Sequence, residues 1–223
     1  MICVALRMDE KLKNIENTEI ETVFFCQSHD AIMGGTKVIY KHAEMVATFG
    51  VKSSVYSPDS LGFNCSWFDH NAKIRTNHTL NKLRNFIVLP EIWAGRYGVQ
   101  IHQNGFRYAI YVQNGYYLNS ALDWGHSPAQ VKEVFENADL IMSISKDTTA
   151  MISATYPNLD KKKIIRLYPH LDDGFCPGKK EKIISYMPRK LPAHSGRLLH
   201  PLLEYLPADW QVVPIEKKQP WKR

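Results

Sequence analysis

The chain has 223 residues, of which 44% are hydrophobic and 22% are charged, and this ordinary globular composition excludes a disordered or collagen-like chain. No run approaches the roughly 20 consecutive apolar residues that a membrane-spanning helix needs. The net charge of +6 is unevenly placed, because residues 160–223 hold 14 Lys and Arg against seven Asp and Glu. Such a basic segment suits phosphates, an anionic membrane surface or nucleic acid, or is simply a solvated face.

From residue 22 onward, short apolar runs alternate with segments of helical periodicity. The runs have the length of buried strands and fall at 22–27, 53–56, 85–90, 108–112, 140–144 and 164–167. The helical segments begin at Thr36, at Ser127-Pro128 and at Asp147. Serine before proline is a strong helix start, and Gly50 stands where a glycine ends the first helix. This alternation predicts an α/β fold, a doubly wound and mostly parallel sheet with helices on both faces.

A second α/β unit is predicted after residue 182, with a strand at 183–188, a helix at 195–205 and a strand at 210–213. One strand–helix–strand unit cannot cover both faces of a parallel sheet, so we expect this unit to be incomplete. The predicted division is a first domain at 1–174, a glycine- and lysine-rich linker at 175–182, and the start of a second domain at 183–223.

A glycine pair, Gly34 and Gly35, falls in the predicted loop between the first strand and the first helix. Glycines let a backbone approach a ligand closely, and the helix that follows offers free N–H groups and the positive end of its dipole. A phosphate or a sugar hydroxyl suits such a loop. The sequence matches neither the phosphate loop of nucleotide triphosphatases nor the dinucleotide fingerprint, and a simple tight turn is an equal alternative.

Polar and aromatic residues follow two of the predicted strands, where the carboxyl ends of parallel strands meet at one edge of the sheet. Glu91 and Trp93 come after the third strand; Gln113 and Asn114, with Tyr116 and Tyr117, come after the fourth. Amides suit sugar hydroxyls and rings suit the apolar face of a sugar. We therefore predict that Glu91, Trp93, Gln113 and Asn114 line a binding cleft; the alternative is that the rings cap the core.

Other candidate groups carry weaker signals. Ser145 at the start of a helix is more typical of an N-cap than of a nucleophile. Loop histidines that could exchange protons are His29, His126 and His170. No histidine pattern has metal-ligand spacing, so no metal site is predicted.

The sharpest single chemical signal is the pair Arg189 and Lys190. These residues close the first strand of the second unit, where two cations suit a diphosphate.

Taken in order, these segments resemble the amino-terminal half of GT-B glycosyltransferases, particularly the family-4-like branch that builds surface polysaccharides and glycans. The resemblance covers about residues 22–215 and includes the glycine pair with its helix, and the segments Val-Leu-Pro-Glu, Tyr-Val-Gln-Asn, Ala-Asp-Leu-Ile-Met-Ser-Ile-Ser and Tyr-Met-Pro-Arg-Lys. It implies a Rossmann-like first domain that binds mainly the acceptor, and the beginning of a second domain that binds the nucleotide-sugar.

Carried over by position, Gly34 and Gly35 face the cleft, and Arg189 and Lys190 contact the donor diphosphate. Transfer would need no cofactor and no metal; the partners would be a nucleotide-sugar and a glycan or lipid-linked acceptor. Two features depart from the family pattern. No two glutamates are separated by seven residues, so the E-x7-E donor motif is absent, and Gln113-Asn114 stands where many relatives place a histidine.

The main alternative is a non-catalytic carbohydrate-binding or partner subunit that completes its cleft as a dimer or with another chain. Nucleic acid is not expected as a partner, because the basic tail lacks interleaved aromatic residues apart from Trp210 and Trp221. The four cysteines form no C-x-x-C pair, which is typical of a reduced protein. We therefore expect a cytoplasmic location, compatible with peripheral association with a membrane. The chain on its own is not expected to transfer sugar.

Overall fold

The computed structural model describes residues 20–29, 31–118, 127–169, 178–186 and 192–215. The chain divides into two compact units, Met1–Leu171 and Asp172–Arg223. The first unit holds six strands, each within two residues of its predicted position: β1 (Glu21–Phe25), β2 (Lys52–Tyr56), β3 (Asn85–Pro90), β4 (Arg107–Val112), β5 (Leu140–Ser143) and β6 (Ile164–Arg166).

The six strands form one sheet in the order β2-β1-β3-β4-β5-β6, and every neighbouring pair is parallel. The register pairs Val23 with Ile87 and Ile87 with Tyr108, so buried residues of β1, β3 and β4 lie side by side. Parallel strands need crossover connections, which place helices on the faces of a sheet. The predicted α/β fold with a mostly parallel sheet is confirmed.

Alternate residues of each central strand enter two separate hydrophobic cores, which explains why the strands are apolar without interruption. Phe25, Leu89 and Ile110 belong to the core on one face, whereas Phe24 and Val88 belong to the core on the other. A strand that is buried on both faces has no polar side to alternate with its apolar side. The helices complete the two cores.

The described residues of this unit include four α-helices: α1 (Gly34–Thr48), α2 (Val99–Gln103), α3 (Pro128–Asn137) and α4 (Lys146–Thr155). Helix α1 contributes to the core that contains Phe24, while α2, α3 and α4 contribute to the core that contains Phe25. Ser127 begins α3 with a full capping box, as its serine–proline start predicts. Residues 91–98 form a 3-10 turn, Glu91–Trp93, and a π-helical turn, Ala94–Gly98, that lead into α2; neither these turns nor α2 is predicted from the sequence.

The long connection between β2 and β3 covers the outer edge of the sheet. Val55 of β2 donates its N–H to the carbonyl of Lys73 at 2.8 Å, and its carbonyl accepts the N–H of Arg75 at 2.9 Å. Ile74, between them, pairs with Val55 as an isolated parallel bridge. The outer backbone of β2 is therefore occupied at Val55 by the protein's own chain.

The second unit contains β7 (Ile183–Tyr186), α5 (Pro192–Tyr205) and β8 (Gln211–Pro214). The two strands pair in parallel, with Ile184 opposite Val212, so this unit is a single strand–helix–strand element in the part that the structure describes. Helix α5 begins at Pro192, three residues before the predicted start, because proline is well tolerated in the first turn of a helix. In the described part of the chain, no helix combines the length and the apolar character needed to cross a membrane.

Candidate active site at the carboxyl edge of the sheet

The connections after β1 and after β3 leave the sheet on opposite faces. Helix α1 follows β1 over one core, and the turns with α2 follow β3 over the other. Since β1 and β3 are neighbours in the sheet, the two connections diverge from adjacent carboxyl ends. This is a topological switch point, the place where open α/β sheets bind ligands. The site therefore consists of the residues that follow β1, β3 and β4.

The glycine pair lies in the first turn of α1 and not in a loop before it. Met33 is extended, with φ −133° and ψ 121°, and the helix begins at Gly34. Neither Gly34 nor Gly35 has a positive φ, so the backbone conformation does not require glycine here. A Cβ atom on Gly35 would stand 2.6 Å from Oε1 of Gln113, whereas a Cβ on Gly34 would meet nothing within 4 Å. A side chain at residue 35 would therefore require the Gln113 amide to shift.

Helix α1 begins without a side-chain cap, unlike the helices that start at Ser127 and Ser145. Met33 has no side-chain hydrogen bond to the first turn, and its carbonyl accepts the N–H of Lys37 at 3.3 Å. Uncapped N–H groups and the helix dipole make the start of α1 electropositive. The start of α1 therefore suits a hydroxyl or phosphate oxygen at the switch point.

Glu91 is buried, with 3% of its surface exposed, and it ties the end of β3 to the end of β4. Its Oε2 accepts the N–H of Gln113 at 3.1 Å, and its Oε1 accepts the N–H of Asn114 at 3.0 Å. Burial raises the pKa of Glu91 to about 7, although the N–H groups of Gln113, Glu91 itself and Asn114 act in the opposite direction. Glu91 therefore positions the turn after β4, and its carboxylate is already engaged by protein donors.

Gln113 and Asn114 are half-buried and face different neighbours. The Gln113 side chain donates from Nε2 to the carbonyl of Gly35 at 3.4 Å, which joins the end of β4 to the start of α1. Asn114 shapes the following turn: its Oδ1 accepts the N–H of Tyr116 at 3.0 Å, and its carbonyl accepts the N–H of Tyr117 at 3.0 Å. Of the predicted cleft residues, the structure thus brings together Gly35, Glu91, Gln113 and Asn114.

Trp93 does not present its ring to a ligand. It is 3% exposed and packs edge-on against Phe25, at 6.5 Å between ring centroids, and against Tyr97, at 5.2 Å. The 3-10 turn at Glu91–Trp93 directs the indole into the core that lies under α2 and α3. The prediction that Trp93 lines the cleft is wrong for this reason, and the alternative of a ring that belongs to the core describes it.

Two of the remaining candidates, Ser145 and His29, make local hydrogen bonds to the backbone. Ser145 is the N-cap of α4, because its Oγ accepts the N–H of Thr148 at 3.0 Å. His29 accepts the N–H of Ala31 through Nδ1 at 3.1 Å, after the end of β1. The candidates His126, His170, Arg189 and Lys190 lie outside the described residues. Among the residues that the structure describes, no three His, Cys, Asp or Glu side chains form a group that could hold a metal ion.

Two features of the site are not predictable from single residues. The role of Glu91 as a double acceptor depends on N–H donors that lie 22 and 23 positions further along the chain. The only local signal is an acidic residue directly after an apolar strand that ends in proline. The second feature is the exposure of Tyr116 and Tyr117, at 70% and 41%, on a turn whose backbone is fixed.

Comparison of the chain with models of known protein families and with curated protein sequences gives no match.

Proposed function

We propose that the chain is the acceptor-side part of a GT-B glycosyltransferase that moves a sugar from a nucleotide-sugar to a glycan or lipid-linked acceptor. The observation that carries this proposal is the switch point between β1 and β3. There, an uncapped helix start, the Gln113 amide and the Asn114 turn meet at one edge of a parallel sheet. Hydrogen-bonding groups on a rigid scaffold are what an acceptor hydroxyl needs in order to be oriented.

The residues have distinct roles in this proposal. Gly34 and Gly35 at the start of α1, together with Gln113 and Asn114, hold the acceptor, while Glu91 positions the last two residues from below. In the transfer, an acceptor hydroxyl oxygen bonds to the anomeric carbon of the donor as the bond from that carbon to the diphosphate oxygen breaks. The hydroxyl proton passes to the departing diphosphate. Arg189 and Lys190 are proposed to stabilise the negative charge on the departing diphosphate. Fixed cations can do this without a metal ion, and the sequence contains no D-x-D motif.

A carbohydrate-binding protein without transferase activity is the second candidate. The observation in its favour is the absence of an E-x7-E pair from the sequence, since that motif orients the donor in the family that the chain resembles. Both candidates require a saccharide at the switch point. They differ in whether a nucleotide-sugar binds as well.

Calorimetric titration of the 223-residue chain with UDP- and GDP-sugars separates the two. We expect a nucleotide-sugar to bind, and we expect Arg189→Ala to weaken that binding by about 1.5–3 kcal/mol through loss of a charge-assisted hydrogen bond. Lys217→Ala is the matched control, because it removes one cation from the same basic segment at a position that we interpret as solvated. Equal losses in the two variants would contradict a defined diphosphate site.

The transfer reaction itself is followed with a radiolabelled sugar donor. A chain that binds saccharides but no nucleotide-sugar at millimolar concentration would refute the transferase proposal and support the second candidate. Because the donor glutamate pair is absent, we expect the chain alone to bind without transferring sugar at a meaningful rate. Transfer by the isolated chain would contradict that expectation and support the transferase.

A further inference from the structure

The turn that follows β4, residues 113–118, is anchored at both ends. At its start, the buried carboxylate of Glu91 accepts the N–H groups of Gln113 and Asn114. At its end, Leu118 is 2% exposed and belongs to the core. In its interior, the Asn114 side chain accepts the N–H of Tyr116. The backbone of this turn is therefore held by hydrogen bonds and by burial, although it lies at the edge of the sheet.

Close packing also holds the middle of the turn against α4. A Cβ atom on Gly115 would lie 2.8 Å from Cβ of Met151 and 3.5 Å from Cα of Thr148. Only glycine allows the turn to approach the helix so closely. The position of the next two residues is thus fixed by a helix on one side and by Glu91 on the other.

On this fixed turn, two neighbouring tyrosine rings are left in solvent. Tyr116 is 70% exposed and Tyr117 is 41% exposed, whereas Tyr108 and Tyr111 on the strand just before them are buried. Single exposed apolar residues are ordinary on a protein surface. Two adjacent rings on a rigid backbone, beside the switch point, are less ordinary, since a turn that is already ordered loses little entropy when a ligand binds.

We propose that residues 113–118 form a sugar-binding subsite in which Tyr116 and Tyr117 pack against the apolar face of a pyranose ring. Tyrosine offers a flat apolar ring with a hydroxyl at its tip, which matches a sugar that has an apolar face and polar edges. Successive residues of a 3-10 turn point about 120° apart, so the two rings form a corner and not one flat platform. A saccharide that lies on one ring is bordered by the other.

The choice of a saccharide as ligand rests on the proposed function. In that function, this subsite would hold a pyranose ring of the acceptor. The test uses saturation-transfer NMR on the full 223-residue chain. The probes are the methyl α- and β-glycosides of glucose, galactose, mannose and N-acetylglucosamine. We expect saturation of ring protons in at least one glycoside, and a fall in affinity of roughly fivefold or more in the Tyr116→Ala, Tyr117→Ala double variant.

Two further variants control the result. Tyr205→Ala removes a tyrosine that is 84% exposed on α5 in the second unit, and it should leave glycoside binding unchanged. Tyr116→Phe keeps the ring and should keep at least half of the affinity. The urea midpoint of each variant should match that of the unmodified chain, because the substituted side chains are exposed.

The inference is overturned if no glycoside binds, if the double variant binds as well as the unmodified chain, or if Tyr205→Ala weakens binding equally. Loss of uridine diphosphate binding in the double variant, with no effect on glycosides, would assign the rings to a nucleobase and also overturn it. If glycosides bind through these rings and no nucleotide-sugar binds, the subsite stands and the transferase proposal fails. If nucleotide-sugars bind and the double variant binds glycosides normally, only the subsite fails.

Discussion

Replacement of Glu91 by Gln should change how the stability of the protein depends on pH. Glu91 is 3% exposed, and burial raises its pKa from 4.5 to about 7. The Gln side chain has almost the same shape but does not titrate between pH 4 and pH 8. It keeps one oxygen acceptor for the N–H groups of Gln113 and Asn114 and loses the other. The unsatisfied N–H should therefore lower the free energy of unfolding of the variant by about 1–3 kcal/mol at every pH, apart from the titration of Glu91 itself.

The pH-dependent part follows from the direction of the shift. Below pH 4.5 the carboxyl of Glu91 is protonated in both the folded and the unfolded chain. Between pH 4.5 and about 7, the folded chain binds more protons than the unfolded chain, so the free energy of unfolding falls as the pH rises. Above pH 7 the carboxyl is ionised in both states and the fall stops. A shift from 4.5 to about 7 corresponds to a total of about 3 kcal/mol.

The assay is urea unfolding of the unmodified chain and the variant at several pH values from 4 to 8. Subtraction of one curve from the other cancels the titration of all other groups. We expect the stability of the unmodified chain, relative to Glu91→Gln, to fall by about 3 kcal/mol across this range. A difference that does not vary with pH would refute the reasoning, since it would mean that the carboxyl titrates alike in both states.

Glu44→Gln is a control of opposite sign. Burial opposes ionisation of Glu44, but the backbone N–H of Asn71 and the ammonium of Lys41, at 2.9 Å, outweigh it and lower the pKa of this carboxyl. A lowered pKa gives stability that is present above the unfolded value of 4.5 and is lost as the pH falls below it. The unmodified chain should therefore gain stability relative to Glu44→Gln as the pH rises from 3 to 5.

Two further predictions concern packing and thiol reactivity. Gly98→Ala would place a Cβ 2.7 Å from Val134 Cγ1 and 3.2 Å from Leu89 Cδ2, so it should lower the free energy of unfolding in urea by about 1–3 kcal/mol. The control Gly34→Ala places a Cβ that meets nothing within 4 Å, so it should be neutral or stabilising by up to about 1 kcal/mol. Equal urea midpoints for the two variants would contradict this prediction. Burial raises the pKa of the Cys26 thiol to about 12, so iodoacetamide at pH 8 should leave Cys26 unmodified in the folded chain and alkylate it in urea, as peptide mass spectrometry would show. Rapid alkylation of the folded chain would be inconsistent with a closed core.

The strands could be predicted from the sequence because both faces of the sheet are buried, which leaves long apolar runs with clear ends. The start of α1 could not be placed as well. Gly34 and Gly35 are poor helix formers, so local propensity places the start at Thr36. In the structure both glycines lie in the first turn, where Gly35 packs against the Gln113 side chain. Helix α2 was missed for a similar reason, since Gly98 before it breaks the pattern and is required by its contact with Val134.

The proximity of several candidate residues could be predicted from the sequence, but the orientation of their side chains could not. The rule that parallel strands end at one edge correctly brings Glu91, Gln113 and Asn114 together. Whether a side chain after a strand turns outward or inward depends on partners that are distant in sequence. Trp93 packs against Phe25 in the core, and Glu91 accepts two N–H groups that follow β4. Sequence patterns of one strand carry no information on such partners.

The two edges of the six-stranded sheet differ in what prevents a strand from another molecule from pairing with them. Beside β2, the chain has already supplied a partner for the backbone of Val55, so a strand from another molecule cannot form continuous hydrogen bonds there. Beside β6, the strand is three residues long and follows directly after Lys161–Lys163. A short edge next to three like charges is a poor template for intermolecular pairing. Both edges of the sheet thus disfavour pairing with a strand from another molecule, which works against aggregation.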